Sequence, residues 1–274
     1  MRDLGEAGAT VDGGDAAPHA STRTGWQRLT SRRLRLASGL VMLTYISLHM
    51  TNHILGLVSL PLAEAGLRWS MWIWQSHPGT VLLYGAFCLH LALALRTIHL
   101  RRHWRLPLTE WLRLWAGFSL PLLLITHVVS TRVATSFYGF EPSYQKIVTS
   151  IVTGEREGWQ IALLAPGWLH GCLGLWISLR HRPSLARARG ILILIMVAVP
   201  VLSALGFIHM TMQVGGGSVL PARPLVPPSR YADALALWRQ GLQYGYVALV
   251  LGAVATGWSR RALRPDGPER PGLR

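Results

Sequence analysis

The sequence predicts an all-α integral membrane protein, a bundle of six transmembrane helices. Three observations carry that prediction. Six apolar stretches reach about 20 residues, the length that crosses about 30 Å of hydrocarbon at about 1.5 Å per residue. Half of the residues are hydrophobic and only 14% are charged, too few to clothe a soluble surface. The basic residues gather at alternate ends of the apolar stretches. Inside a bilayer every backbone polar group must be bonded within its own segment, so each stretch is expected to be a helix.

In chain order, residues 1–30 are small, polar and Gly/Ala-rich, with no apolar run after the first arginine. They read as a disordered cytoplasmic tail and not as a signal peptide. The membrane domain is expected over 31–260, with spans near 35–59, 79–100, 114–137, 159–179, 190–212 and 236–258 and short connections between them. The 137–157 loop, FYGFEPSYQKIVTSIVTGERE, is the longest polar outer feature before the fourth span and is expected to form a short amphipathic piece there. Residues 261–274 are expected to be a basic cytoplasmic tail.

Orientation follows from arginine. One set of flanks carries Arg28, Arg32, Arg33 and Arg35, then Arg101, Arg102, Arg105 and Arg113, then Arg180, Arg182, Arg187 and Arg189, and last Arg260, Arg261 and Arg264. The opposite loops hold few basic residues, and Glu141, Glu155 and Glu157 offset those of the 139–157 loop. Both termini are therefore expected on the cytoplasmic side. The same distribution accounts for the formal charge of +15 without a nucleic-acid partner, because no basic cluster sits on a recognisable soluble module. Twelve tryptophans suit membrane–water interfaces.

Of eleven histidines, four fall near the middle of four consecutive spans: His49, His90, His127 and His170. Ionisable side chains at that depth are costly and usually functional. A single one reads ordinarily as a helix–helix hydrogen bond; one on each of helices 1 to 4 points to ligation of a cofactor. The segment also looks duplicated. SGLVMLTYISLH in the first span parallels AGFSLPLLLITH in the third, so Gly39 and Gly117 each precede a histidine by ten residues. FCLHLALALRTIHLRR in the second parallels GWLHGCLGLWISLRHR in the fourth. Arg35 to His49 and Arg113 to His127 are both 14 residues, about 21 Å of helix, whereas His90 and His170 lie about 15–16 Å from Arg101 and Arg180. Matched depth pairs His49 with His127 towards the outer face, and His90 with His170 towards the cytoplasm.

Two imidazoles on opposite sides of one iron describe a low-spin b-type haem. Two haem b groups are therefore expected in a four-helix core made by helices 1 to 4. No C-x-x-C-H motif occurs, so covalent attachment is not expected. Zinc or copper suits four histidines at two depths poorly. Each ligating ring needs an acceptor for its other nitrogen, and Pro121 and Pro166 each free a carbonyl four residues earlier.

Arg96, six residues after His90, and Arg132, five after His127, are candidate partners for haem propionates; the ordinary alternative is snorkelling to headgroups. His53, one turn beyond His49, is an alternative ligand, a hydrogen-bonding neighbour of the ligand or a quinone contact, and depth matching favours His49 as the ligand. His99 and His103 read as solvated interface residues, and His209 as a weaker quinone candidate. Cys88 and Cys172 read as small packing residues, and glycines 39, 85, 117, 171 and 174 as points of close approach. No nucleotide-binding glycine loop, paired carboxylates or nucleophile constellation is visible, so no catalytic domain is expected in the chain.

The pattern SG-x9-H, LH with an arginine six residues later, AG-x9-H and LHGCLGLW resembles the dihaem cytochrome b subunits of succinate dehydrogenase and fumarate reductase, over residues 31–212. The segments HMTNHILGLVSL and FYGFEPSYQ are more similar to the hexahelical membrane anchor of some bacterial class III adenylyl cyclases. The resemblance implies that His49 and His127 hold an outer haem and that His90 and His170 hold one nearer the cytoplasm. It also implies a bacterial inner membrane, and electron exchange between quinone and a partner. A sixth helix fits the cyclase-anchor type, but only RRALRPDGPERPGLR follows it, so a cyclase domain is not expected here. The expected function is a dihaem b-type cytochrome exchanging electrons with quinone, as a redox-sensing or anchoring module. The alternatives are an electron-transfer subunit of a succinate dehydrogenase/fumarate reductase-like oxidoreductase and a haem-free transporter or anchor. Expected partners are the lipid bilayer, quinone, a cytoplasmic subunit or separate signalling domain, and a second copy in a homodimer.

Overall fold

The structure is a computed structural model that describes residues 19–101, 104–153, 157–181, 183, 187–216 and 229–263. Most of both expected tails, together with Arg102, His103, Glu155, Arg182 and Arg264, lies outside these residues. Among the described residues the regular structure is entirely helical: α1 (His19–Leu55), α2 (Leu60–Trp74), α3 (His77–Leu100), α4 (Leu108–Val128), α5 (Ala134–Tyr138), α6 (Tyr144–Thr153), α7 (Glu157–Leu179), α8 (Arg189–Gly215) and α9 (Ser229–Leu263). A π-helical turn, Val129–Val133, joins α4 to α5.

Four helical runs are long and apolar enough to cross a membrane: His77–Leu100, Leu108–Tyr138, Ala162–Leu179 and Arg189–Gly215. They mark the chain as a multi-pass membrane protein. Helices α1 and α9 are longer but more polar. Ser47, His49, Thr51, Asn52 and His53 dilute α1, and Arg239, Gln240 and Gln243 dilute α9. Large apolar side chains stand exposed on the outward faces, among them Val81, Ile191, Leu194, Val197 and Leu251, as lipid contact requires.

Helix boundaries have local causes. Ser59 caps α2 by accepting the Leu62 N–H, and Ser76 caps α3 by accepting that of Gly79; each is followed by a proline in the first turn. Gly139 ends α5 at φ 69°, a left-handed conformation that glycine adopts without strain. Helix α1 packs on α3, α7 and α8; α4 packs on α7, and α9 lies on both α3 and α4. The four helices that carry the paired histidines, α1, α3, α4 and α7, thus form the core, flanked by α8 and α9. Where α1 crosses α8, a methyl added to Gly206 would strike the His53 carbonyl, and Ser203 Oγ donates to the Met50 carbonyl at 3.0 Å. The short connection expected after the first span is instead occupied by α2. It packs with α6 and α8 around Leu60, Ala63, Tyr144, Val148, Phe207 and Met210, all buried. Helix α6 falls within the loop expected to be amphipathic, and packs on α8 and α2.

Candidate cofactor-binding site

The core helices bring the four mid-span histidines together as two pairs. The rings of His90 on α3 and His170 on α7 stand edge-on with centroids 6.1 Å apart, and so do those of His49 on α1 and His127 on α4 at 6.0 Å. Two metal–nitrogen bonds of about 2.0 Å, plus about 1.1 Å from each nitrogen to its ring centre, place two axial imidazoles about 6.2 Å apart. Both centroid separations match that figure, with the rings inclined at 84° in the first pair and 70° in the second, and in the second His49 Nε2 is directed to His53 Nε2 at 3.3 Å. Among the described residues no group of three or more His, Cys, Asp or Glu side chains is placed to hold a bare metal ion, whereas iron in a porphyrin takes only two ligands from the protein.

The inner pair is held by its far nitrogens. His170 Nδ1 donates to the Arg113 carbonyl at 2.9 Å. His90 Nδ1 lies 3.1 Å from Ser38 Oγ, whose own proton goes to the Leu34 carbonyl at 2.8 Å. With that proton committed, Ser38 accepts from His90. Both rings therefore carry their proton on Nδ1 and leave Nε2 as the free base, the arrangement an axial ligand needs. The glycines of the duplicated segment explain how the rings fit. A methyl on Gly117 would lie 2.5 Å from His170 Cε1, and one on Gly39 would lie 3.3 Å from His90 Cε1. Each glycine of the first and third spans clears space for the histidine of the helix that follows.

The outer pair has a richer surround. Tyr45 stacks on His49 at 6.0 Å with an interplanar angle of 7°, and Trp74 meets Tyr45 edge-on at 5.3 Å. His53 Nε2 lies 3.3 Å from His49 Nε2, and His53 Nδ1 lies 3.0 Å from the Tyr144 hydroxyl. His53 thus sits between His49 and Tyr144, with its ring edge-on to both, while His49 is the residue set opposite His127. Burial pushes the Tyr144 phenol, in the segment outside the apolar spans, above its ordinary range, so it acts as a neutral hydrogen-bonding group. Glu64 of α2 fixes the start of α6 by accepting the Tyr144 backbone N–H at 2.6 Å and the Ser143 hydroxyl at 3.3 Å.

The two arginines singled out from sequence stand differently. Arg132 lies in the π-helical turn just after His127; it donates to Thr80 Oγ1 at 2.8 Å and stands 6.0 Å from the Tyr84 ring centre. Arg96 is exposed, and its Nη1 donates to Ser31 Oγ at 3.2 Å. His209 Nδ1 donates to the Gly56 carbonyl at 2.9 Å and ties α8 to α1, while His99 bonds Thr256 across to α9. Cys88 is exposed and Cys172 half-buried, both as free thiols. Methyls on Gly85 or Gly174 would meet nothing within 4 Å; one on Gly171 would press on Leu43. The carbonyls expected from Pro121 and Pro166 are not the ones that meet the inner rings, which take the Arg113 carbonyl and Ser38 instead; a carbonyl four residues before a proline is bonded in α8, where that of Met196 accepts from Trp168 Nε1 at 3.0 Å. Sequence reading missed Ser38 and the Arg113 carbonyl as partners of the inner rings. The signal for Ser38 was a lone hydroxyl beside Gly39 in an apolar run.

No protein-family model, curated protein or solved structure matches this chain.

Proposed function

We propose that the chain is a membrane-embedded dihaem b-type cytochrome of six transmembrane helices that exchanges electrons with quinone. The observation that carries the reading is the pair of imidazole pairs, 6.0 and 6.1 Å between centroids, on four neighbouring helices. A duplicated helical pair with one histidine at each of two depths has no need of this register for packing alone. It is what two stacked haems require.

When bound, haem supplies one-electron transfer. The chain's residues do the rest. His49, His127, His90 and His170 would hold the haems; Ser38 and the Arg113 carbonyl orient the inner rings; and the apolar helices exclude water. His53 and Tyr144, bonded to each other and His53 also to His49, are the polar groups beside the outer pair that would turn to a quinone carbonyl. In this reading α1 and α9 span the bilayer with the other four, the arginine-bearing ends face the cytoplasm of a bacterial cell, and both termini lie there. A redox-sensing or anchoring role beside a separate signalling domain or cytoplasmic subunit follows from the resemblance to cyclase anchors and respiratory cytochromes.

Replacement tests the pairing. His90→Ala and His170→Ala should each remove one haem per chain, the same one, while His49→Ala and His127→Ala remove the other. Haem content and the low-temperature absorption bands distinguish them. Retention of both haems in His90→Ala would contradict the pairing.

A further inference from the structure

The arginine of each duplicated half stands one turn before the glycine that clears the inner imidazoles: Arg35 before Gly39, and Arg113 before Gly117. On α4 this places the Arg113 carbonyl against His170 Nδ1, and on α1 the Arg35 backbone is a second partner of His90. The backbones of both arginines therefore flank the inner pair, one from each half. Arg35 turns inward: its Nη2 donates to Thr97 Oγ1 at 2.6 Å and to the Leu93 carbonyl at 3.3 Å, on the helix that carries His90. Its Nε is buried without a hydrogen-bond partner. The charges of Arg113, Arg32 and Arg96 act on it, and among the described residues the ion pairs are Arg101–Glu110 and Lys146–Glu141, so no carboxylate answers this cluster. Like charges held together at the edge of an apolar core, with a buried N–H left over, call for an anion.

We propose that Arg35 and Arg113 form an anion site for the paired propionate carboxylates of the inner haem, in place of the exposed Arg96. The proposal rests on the dihaem reading. Two positive charges from opposite halves of the duplicated core match two carboxylates on one edge of a porphyrin, and the unpartnered Arg35 Nε is a donor left over for one of them. A phospholipid phosphate shares this anionic chemistry. The depth of Arg35, bonded beside Thr97 and Leu93 and adjoining His90, favours the propionate.

The test uses full-length protein in nanodiscs, with Arg35→Gln, Arg113→Gln, Arg96→Gln and the exposed Arg33→Gln, and Arg35→Lys as the conservative variant. Haem per chain, the midpoint potential of each haem, transfer of haem to apomyoglobin and bound phospholipid phosphate are measured. Arg35→Gln and Arg113→Gln should lower the potential of the inner haem and speed its transfer about tenfold, leaving the outer haem unchanged. Arg35→Lys should restore the potential in part, and Arg33→Gln should match the unaltered chain. A fold defect would disturb both haems, so selective change is the signature. Unchanged inner haem in both Gln variants, a larger effect from Arg96→Gln, or loss of bound phosphate with both haems unaltered would each overturn the proposal. An unaltered chain without haem would overturn the dihaem reading itself, and this site with it.

Discussion

At Gly117 a single hydrogen separates the backbone from the His170 ring, and the added methyl of alanine would sit 2.5 Å from Cε1 and 2.7 Å from Nδ1. At Gly39 the corresponding approach to His90 is 3.3 Å, which a small ring shift relieves. Gly117→Ala should therefore lower occupancy of the inner haem several-fold, and Gly39→Ala should be near neutral, as read by haem per chain. Equal effects would mean that the glycines serve backbone flexibility and not ring clearance. The pairing of these residues was legible in sequence because depth and the ten-residue glycine spacing repeat between the two halves. The proton positions were not, because they depend on Ser38 and on the Arg113 carbonyl, groups that spacing alone does not single out. Arg35 was read as an orienting charge and as the depth reference for His49, since nothing in the sequence shows that its side chain turns towards Thr97.

At the scale of elements, the long helices could be read from apolar length, but α2 could not. LPLAEAGLRWSMWIW carries Glu64 and Arg68 among aromatics, so it gives no clean spanning signal. The caps that start it, Ser59 with a proline two residues later, were there to be read. Glu64 links this helix to α6 through the charge-assisted bond to the Tyr144 N–H. Glu64→Gln should destabilise the α2–α6 cover by about 1–2 kcal/mol and speed amide exchange in 144–149, without loss of haem. Haem loss in that variant would make the cover part of the binding site. In α7, Trp168→Phe removes the donor to the Met196 carbonyl of α8 and should cost about 1 kcal/mol, measured by thermal unfolding in detergent.

For the whole molecule, arginine-bearing helix ends meet on one side: Arg261 donates to the Arg101 carbonyl at 2.6 Å, and Arg101 pairs with Glu110 at 3.8 Å. The proposed topology sets this side in the cytoplasm and Tyr144 outside. A cysteine introduced at Ser143, in a chain with Cys88 and Cys172 replaced by alanine, should react with an impermeant thiol reagent on intact cells, whereas one at Arg260 should react only after lysis. The reverse pattern would invert the orientation. The α1 and α9 spans were expected from sequence and are more polar than the other four, α1 through Ser47, His49, Asn52 and His53 and α9 through Arg239 and the exposed Gln240 and Gln243.

The central claim is that the two imidazole pairs hold iron. A reduced-minus-oxidised visible spectrum of the purified full-length protein, with haem counted per chain, tests it most directly. Sharp low-spin b-type bands with about two haems per chain are predicted from the two pairs. A folded, helical sample without haem would contradict the account and leave the histidines as helix-packing residues.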